Sequence, residues 1–346
     1  MKPTMITAAV AAYLSMTARA ASIQARNNAI SASFVPPDLY VSPAPVYAGA
    51  PIIMKEPTND DSLAFSSSSK WAMTYTPYTS AGSCKTAAQV ASDIASIASK
   101  DFTTIRLYAT DCNAIPHVAA AAKTHALRLV LGIYIDEAGT RSGIVDEQIR
   151  TISEWAASSP SNWDIVDLIV AGNEALFNNF ATAADLVSLL THVRHVFGRL
   201  GYEGPVTTAE PVPTLSQHAD VLCPALDVLA ANLHPFFHND VAADEAGSFA
   251  TEQLELVAAL CAAEDGEEEE EEEEEERTVV ALEVGWPKRG SRNKRAVPGE
   301  VEQKIAIGAM VKAIGERAAF VSFEDEGWRD PGDFGVEQAW GCADLF

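Results

Sequence analysis

From residue 70 onward, short apolar or β-branched runs alternate with segments in which apolar residues recur about every 3.6 positions. The periodic segments, such as Ala87–Ala98, Asp185–Leu200 and Glu300–Ala313, predict helices, and the short runs predict strands. Because such apolar strands alternate with helices, we expect an α/β fold with a parallel sheet covered by helices. Eight units predict a single (β/α)8 TIM barrel, in which only a short helix fits between strands five and six. The predicted strands begin at Trp71, Phe102, Arg128, Val166, Pro205, Asp227, Thr278 and Ala319.

Three segments depart from this pattern. Residues 1–20 combine Lys2 with a short apolar stretch and small residues at the end, which predicts a secretory signal peptide. Residues 21–69 are rich in Pro and Ser without periodicity and predict a flexible linker before a barrel domain at 70–346. Inside that domain, residues 267–276 are consecutive glutamates, which predict a solvated, disordered loop on the face away from any cleft. A calcium site or a basic partner is the alternative for this run.

The net charge of the chain argues against some classes of binding partner. The formal net charge is −24, or −14 once the ten glutamates of residues 267–276 are left out. A surface this negative repels phosphate backbones and anionic lipid, so we expect no nucleic-acid partner and no membrane association. Neither a Gly-rich phosphate loop nor a Cys/His cluster with metal-ligand spacing is present, so we expect no cofactor and no metal. We expect a secreted, soluble monomer.

The five cysteines fit an oxidising compartment. Cys84 and Cys112 fall in adjacent loops at the C-terminal ends of the predicted strands. Cys223 and Cys261 precede strands six and seven at the opposite end of the barrel. We therefore expect these two disulfides, with Cys342 either free or paired with another molecule.

Two glutamates stand at the ends of predicted strands, where (β/α)8 barrels assemble their active sites. Glu174 follows the apolar fourth strand, and Glu283 ends the seventh. Strands four and seven lie on opposite walls of such a barrel, so the two carboxylates can face each other across a cleft. A separation of about 5–5.5 Å would suit glycoside cleavage with retention of configuration, and a larger gap would suit inversion. The sequence does not decide between these two separations.

Gly172-Asn173-Glu174 and Glu283-Val284-Gly285-Trp286-Pro287 resemble the acid/base and nucleophile signatures of glycoside hydrolase family 17. The sequence most resembles the branch of fungal cell-wall β-glucanases and β-glucosidase-like proteins. Val284 stands where this family usually has threonine. Further matching segments follow in order along the barrel domain and include Tyr75-Thr76-Pro77-Tyr78, Ile105-Arg106-Leu107-Tyr108, Asp111-Cys112, Asn232-Leu233-His234-Pro235-Phe236-Phe237 and Phe334-Gly335-Val336-Glu337-Gln338-Ala339-Trp340-Gly341.

The resemblance implies a retaining glycosidase that cleaves (1,3)-β-glucan of the fungal cell wall by double displacement, outside the cell. In that assignment Glu174 is the proton donor and Glu283 is the nucleophile. A β-glucan transglycosylase and a non-catalytic wall-binding barrel remain alternatives, although a binding protein has no need for both glutamates. Aromatic rings at the strand ends can stack on sugars, and Asn173 is suited to the 2-hydroxyl group. The candidate substrate-binding residues are Tyr75, Tyr78, Arg106, Tyr108, Tyr134, Asn173, His234, Phe236, Trp286 and Trp328.

Overall fold

The computed structural model describes residues 70–262 and 277–346. The predicted signal peptide, the predicted linker and the glutamate run at 267–276 all lie outside the described residues. Among the helices of the described part, none combines the length and the apolar character needed to cross a bilayer.

Within these residues the chain forms a closed barrel of eight parallel strands, each hydrogen-bonded to its neighbours in sequence order and the last to the first. The prediction of a (β/α)8 barrel is therefore confirmed. Strand eight is much shorter than expected, because the chain leaves the ladder after Phe320. The strands are β1 (Lys70–Thr74), β2 (Phe102–Arg106), β3 (Arg128–Ile133), β4 (Val166–Asn173), β5 (Val206–Pro211), β6 (Leu229–Leu233), β7 (Val279–Val284) and β8 (Ala318–Phe320).

Helices fill the intervals between the strands, and side chains of Thr86, Ser142 and Thr182 cap the starts of three of them. The Thr86 hydroxyl accepts a hydrogen bond from the Gln89 backbone N–H, and the Gln89 side chain accepts one from the Thr86 N–H in return. As expected, the interval between β5 and β6 holds only short helices. The helices are α1 (Ala87–Ala98), α2 (Ala114–Thr124), α3 (Gly143–Ala157), α4 (Ala183–Gly198), α5 (Val212–Gln217), α6 (Ala219–Leu222), α7 (Ala246–Ala262) and α8 (Glu300–Ile314).

The hydrophobic core has two parts because successive side chains of a strand point to opposite faces of the sheet. In β3, Leu129 and Leu131 pack with the helices in a large outer core. Val130, between them, belongs to a smaller cluster drawn from the strands, with no helical member, which fills the barrel interior. A barrel filled in this way is a rigid support, so side chains at its C-terminal rim are held in place by the strands themselves.

Both expected disulfides are present. Cys84 pairs with Cys112 beside the C-terminal rim, and Cys223 pairs with Cys261 at the opposite end. Cys342 is a free thiol that is buried, which excludes the intermolecular pairing offered for it above.

Replacing both Cys223 and Cys261 by serine is expected to lower the free energy of unfolding by about 3–4 kcal/mol. The reason is that the bridge joins positions 38 residues apart and so restricts the unfolded chain. Denaturant unfolding under oxidising conditions measures the change, with Cys342→Ala as a control that removes a thiol but no bridge. An unchanged unfolding midpoint in the double variant would contradict this expectation.

Candidate active site

Two strands on opposite walls of the barrel carry the facing carboxylates. Glu174 directly follows the end of β4, and Glu283 lies within β7. One carboxylate oxygen of each glutamate and one ring nitrogen of His234 all lie within 4.8 Å of one another. The structure thus brings together the two glutamates that the strand-end pattern singled out.

Glu283 sits between two basic side chains. The Arg106 guanidinium lies 3.2 Å from Oε1 of Glu283, and Nε2 of His234 lies 3.1 Å from Oε2. Arg106 comes from the end of β2 and is almost completely buried, with its guanidinium 4.5 Å from the centre of the Tyr108 ring. Arg106 and His234 therefore hold a carboxylate, whereas the sequence offered both only as substrate-binding residues.

Glu174 has different neighbours. The Asn232 side chain donates hydrogen bonds to Oε1 of Glu174 and to Oδ1 of Asn173, both at 3.1 Å. Arg106 donates to the same Asn173 oxygen at 2.7 Å, so Asn173 links the surroundings of the two glutamates. No side-chain cation is hydrogen-bonded to Glu174 among the contacts of the described residues.

These neighbours shift the pKa values of the two glutamates in opposite directions. For Glu174, burial and the negative charge of Glu283 raise the pKa of the carboxyl group above its ordinary value. For Glu283, burial alone would also raise the pKa, but the hydrogen bond from His234 and the charge of Arg106 outweigh burial and lower the pKa well below its ordinary value. The pKa of His234 is raised because its contact with Glu283 outweighs burial. The Glu174 carboxyl group therefore holds its proton more firmly than usual, whereas the Glu283 carboxyl group loses its proton more readily.

Four of the seven tyrosine, phenylalanine and tryptophan candidates remain at the rim of the cleft. Tyr78 and Trp328 are partly exposed and pack against each other with ring centres 5.1 Å apart. Tyr108 and Tyr134 are also partly exposed.

The other aromatic candidates are buried. Tyr75 is 1% exposed and donates a hydrogen bond to Asp93 of α1, while Phe236 and Trp286 are fully buried. Trp286 donates its indole N–H to the carbonyl oxygen of Val297, and its ring packs on Phe236. A ring with no exposed face cannot stack on a sugar, so the expectation that these three residues bind substrate is wrong for this structure.

Sequence reasoning did not select three polar residues that lie near the carboxylates. Asn232 and Glu210 stand toward the C-terminal ends of β6 and β5, the same signal that pointed to Glu174 and Glu283. Glu337 lies in the loop that follows β8, in one of the matching segments but not at the end of a predicted strand. Its pKa is raised by burial, and its charge acts on His234.

Glu174, His234 and Glu283 also form a group of described residues whose donor atoms are close enough to hold a metal ion. The Arg106 guanidinium beside Glu283 would repel a divalent cation at that position. The charge of Arg106 therefore disfavours a metal ion among these three residues.

The comparisons with known proteins concern the same part of the chain. A BtgE/BtgC glycoside hydrolase domain matches residues 72–341. A curated Aspergillus fumigatus protein, probable beta-glucosidase btgE, is 40% identical over 279 residues, which are 81% of this chain and 46% of that protein. The chain thus spans about half the length of the curated relatives it matches.

Two solved structures share the fold. A Rhizomucor miehei beta-1,3-glucanosyltransferase mutant in complex with laminaritriose has a TM-score of 0.64 at 21% identity and covers 79% of this chain and 92% of its own. An endo-laminarinase from Formosa has a TM-score of 0.64 at 16% identity, with 79% of this chain and 82% of its own covered. At these identities the likeness concerns the barrel alone. Because the domain match spans most of the chain and the facing glutamates fall inside it, this protein belongs to the BtgE/BtgC glycoside hydrolase family.

Proposed function

We propose that this protein is a retaining glycosidase of (1,3)-β-glucan, related to glycoside hydrolase family 17. The observation that carries the proposal is the pair of glutamates whose oxygens lie within 4.8 Å and whose pKa values are shifted apart. Such a gap leaves little room for a water molecule between the carboxylates, which favours direct attack on the sugar over inversion. Opposite pKa shifts are what separate an acid from a nucleophile.

In the proposed reaction, the ionised Glu283 carboxylate attacks the anomeric carbon while the bond from that carbon to the leaving oxygen breaks. Glu174 gives its proton to that oxygen, so the leaving sugar departs as an alcohol. Glu283 is then esterified and neutral, which removes the negative charge that raised the pKa of Glu174. Glu174 can now accept a proton from water, whose oxygen attacks the anomeric carbon and releases Glu283.

A neutral β-glucan is the proposed substrate. An acidic protein does not repel an uncharged polysaccharide, and the Tyr78–Trp328 pair offers partly exposed rings for stacking. The curated relatives are described as probable beta-glucosidases, and the Rhizomucor protein binds laminaritriose. We propose that the protein acts as a monomer.

A transglycosylase of the same glucan is the second candidate. The same double displacement yields transfer when a sugar hydroxyl takes the place of water in the second step. The description of the Rhizomucor structure as a beta-1,3-glucanosyltransferase favours keeping this candidate.

Mass spectrometry of products from a defined laminari-oligosaccharide tests both candidates. Shorter products only would support hydrolysis, and products longer than the starting sugar would support transfer. If the wild-type protein leaves the oligosaccharide unchanged, both candidates fail and a non-catalytic barrel becomes the better description.

We further propose that the protein is secreted and acts at the cell wall. The proposal rests on the signal-like residues 1–20 and on the two disulfides, which are typical of oxidising compartments. Detection of the mature protein in culture medium or wall extracts, with residues 1–20 removed, would test it. Retention of the full-length chain inside the cell would contradict it.

Replacing His234 by glutamine should move the pH profile of kcat/KM to higher pH. His234 lowers the pKa of Glu283 by its hydrogen bond and its charge, so without the charged ring Glu283 becomes protonated at a higher pH. Since Glu283 must be ionised to attack, activity on the acidic side should be lost earlier as the pH falls. His192→Gln, on the exposed surface of α4, is the matched control and should leave the profile unchanged. An acidic limb that stays in place in His234→Gln would contradict this role.

A further inference from the structure

The backbone at Glu174 adopts a conformation that needs support. Its φ angle is +53°, in the left-handed region that residues with a side chain rarely occupy. Such a conformation costs free energy and persists only where neighbouring groups hold it. The turn that follows, residues 174–180, has no regular helix or strand to hold it.

Strand β5 supplies part of that support. The Thr208 hydroxyl donates a hydrogen bond to the Gly172 carbonyl at 3.1 Å, and the Glu174 backbone N–H donates to the Ala209 carbonyl at 2.8 Å. The pairing of β4 with β5 is interrupted by a register shift between Val170 and Asn173. Beyond that shift, β5 is still hydrogen-bonded to the chain at Gly172 and Glu174.

Glu210, the next residue of β5, completes these contacts. Its Oε1 accepts a hydrogen bond from the Leu176 backbone N–H at 2.8 Å, and its Oε2 accepts one from the Phe177 N–H at 3.1 Å. The Glu210 side chain is fully buried, and among the hydrogen bonds of the described residues none joins it to Glu283, His234 or Arg106. Its carboxyl group is thus used on the backbone of the turn and not on the cleft.

The electrostatic setting of Glu210 is unfavourable by itself. Burial raises the pKa of Glu210 to about 8, the two backbone N–H groups oppose that rise, and the nearby charge of Glu174 adds to it. Burying a carboxyl group is costly unless its hydrogen bonds are satisfied. An apolar residue would fill this buried position without that cost. The presence of a carboxyl group therefore indicates that its two hydrogen bonds to the turn have a role.

We propose that Glu210 is a positioning residue for Glu174. Its carboxyl group is hydrogen-bonded to the turn after Glu174 and so fixes the position of the acid/base carboxyl group in the cleft. The inference rests on the proposed function, because it concerns the role of Glu174 in proton transfer. Misplacement of a reacting group by about 1 Å can cost on the order of 100-fold in rate.

Two variants separate the parts of this role. Glu210→Gln keeps the shape of the side chain but replaces one accepting oxygen by a donor, and so loses one hydrogen bond to the turn. Glu210→Leu loses both. We expect kcat/KM on an aryl laminari-oligoside with a poor leaving group to fall by on the order of 100-fold in Glu210→Leu and by less in Glu210→Gln. If the Glu210→Leu variant does not fold, the kcat/KM of the Glu210→Gln variant tests the positioning role by itself.

A comparison of leaving groups separates the positioning role from a general loss of structure, which would lower kcat/KM on every substrate. An aryl group that departs as a stable anion needs no proton from Glu174, so its kcat/KM should be almost unaffected in both variants. Asp227→Asn is the matched control, because the Asp227 carboxylate accepts the Val206 backbone N–H at the other end of β5. This control should change neither substrate's kcat/KM.

A double variant tests whether Glu210 acts through Glu174. In a Glu174→Ala background, Glu210→Gln should have no further effect on kcat/KM, since the group that it positions is absent. Equal losses on both aryl substrates in Glu210→Gln, no loss on either, or an additive loss in the double variant would overturn the inference. If the wild-type protein turns over neither substrate, the failure belongs to the proposed function instead.

Discussion

Replacing Glu283 by alanine should abolish turnover on every glycoside. The substitution removes the only group proposed to attack the anomeric carbon, and a good leaving group cannot compensate for that loss. We expect kcat to fall by on the order of 10⁴–10⁶-fold, the range observed when members of a nucleophilic catalytic triad are removed. Steady-state rates on laminari-oligosaccharides and on activated aryl glycosides measure the effect.

Azide should restore part of this activity. A small anion can enter the space left by the Glu283 side chain and attack the anomeric carbon from the same side, which gives a glycosyl azide of inverted configuration. Nuclear magnetic resonance of the product distinguishes the two configurations. A product with retained configuration would contradict the assignment of Glu283 as nucleophile.

The alanine variant also leaves Arg106 and His234 without their carboxylate partner. Breaking a buried ion pair costs about 3–5 kcal/mol, so the loss of activity must be separated from loss of structure. Glu283→Gln retains a hydrogen-bonding side chain and should be equally inactive while unfolding closer to the wild-type temperature. Glu316→Ala, an exposed glutamate just before β8, is the matched control and should be fully active.

Glu174→Ala should lose activity only on substrates whose leaving group needs a proton. Proton donation by a positioned acid contributes about 10²–10⁴-fold, so kcat/KM on laminari-oligosaccharides should fall by that factor. An aryl glycoside whose leaving group needs no proton should keep most of its rate of bond cleavage. Comparison of kcat/KM across aryl leaving groups of different acidity therefore measures the loss.

Azide acts on this variant at a different step. Glu283 still forms the glycosyl-enzyme, and azide then attacks it without needing a base, so the product should have retained configuration. If Glu283→Ala shows this behaviour and Glu174→Ala shows inversion, the two roles are exchanged. If both variants keep wild-type activity on laminari-oligosaccharides, the proposed function itself is wrong.

Periodicity in the sequence predicted the helices well. The predicted helix at Ala87–Ala98 has the bounds found in the structure, because an apolar stripe and a Thr86 cap define it locally. The predicted last helix likewise begins at Glu300 as found. These elements depend on neighbouring residues, which are visible in the chain.

Aromatic residues at strand ends were a poor guide to substrate contacts. The chemical character that lets Tyr78 and Trp328 form a pair at the rim also lets Phe236 and Trp286 pack in the core. Which way a ring points after the last residue of a strand depends on how the chain turns into the following loop. That direction follows from packing against other loops, which local sequence does not contain.

The sequence by itself determined the barrel, the disulfide pairs and the placement of Glu174 and Glu283 at the ends of opposite strands. These features follow from strand and helix periods, from the end of a strand at which a residue lies, and from the order of strands around a barrel. The tertiary structure alone decided how the two carboxyl groups differ. Arg106 comes from β2 and His234 from just after β6, so their approach to Glu283 depends on contacts between segments far apart in the chain. The same holds for Glu210, since the pairing of β5 with β4 brings its carboxyl group to the turn that follows Glu174.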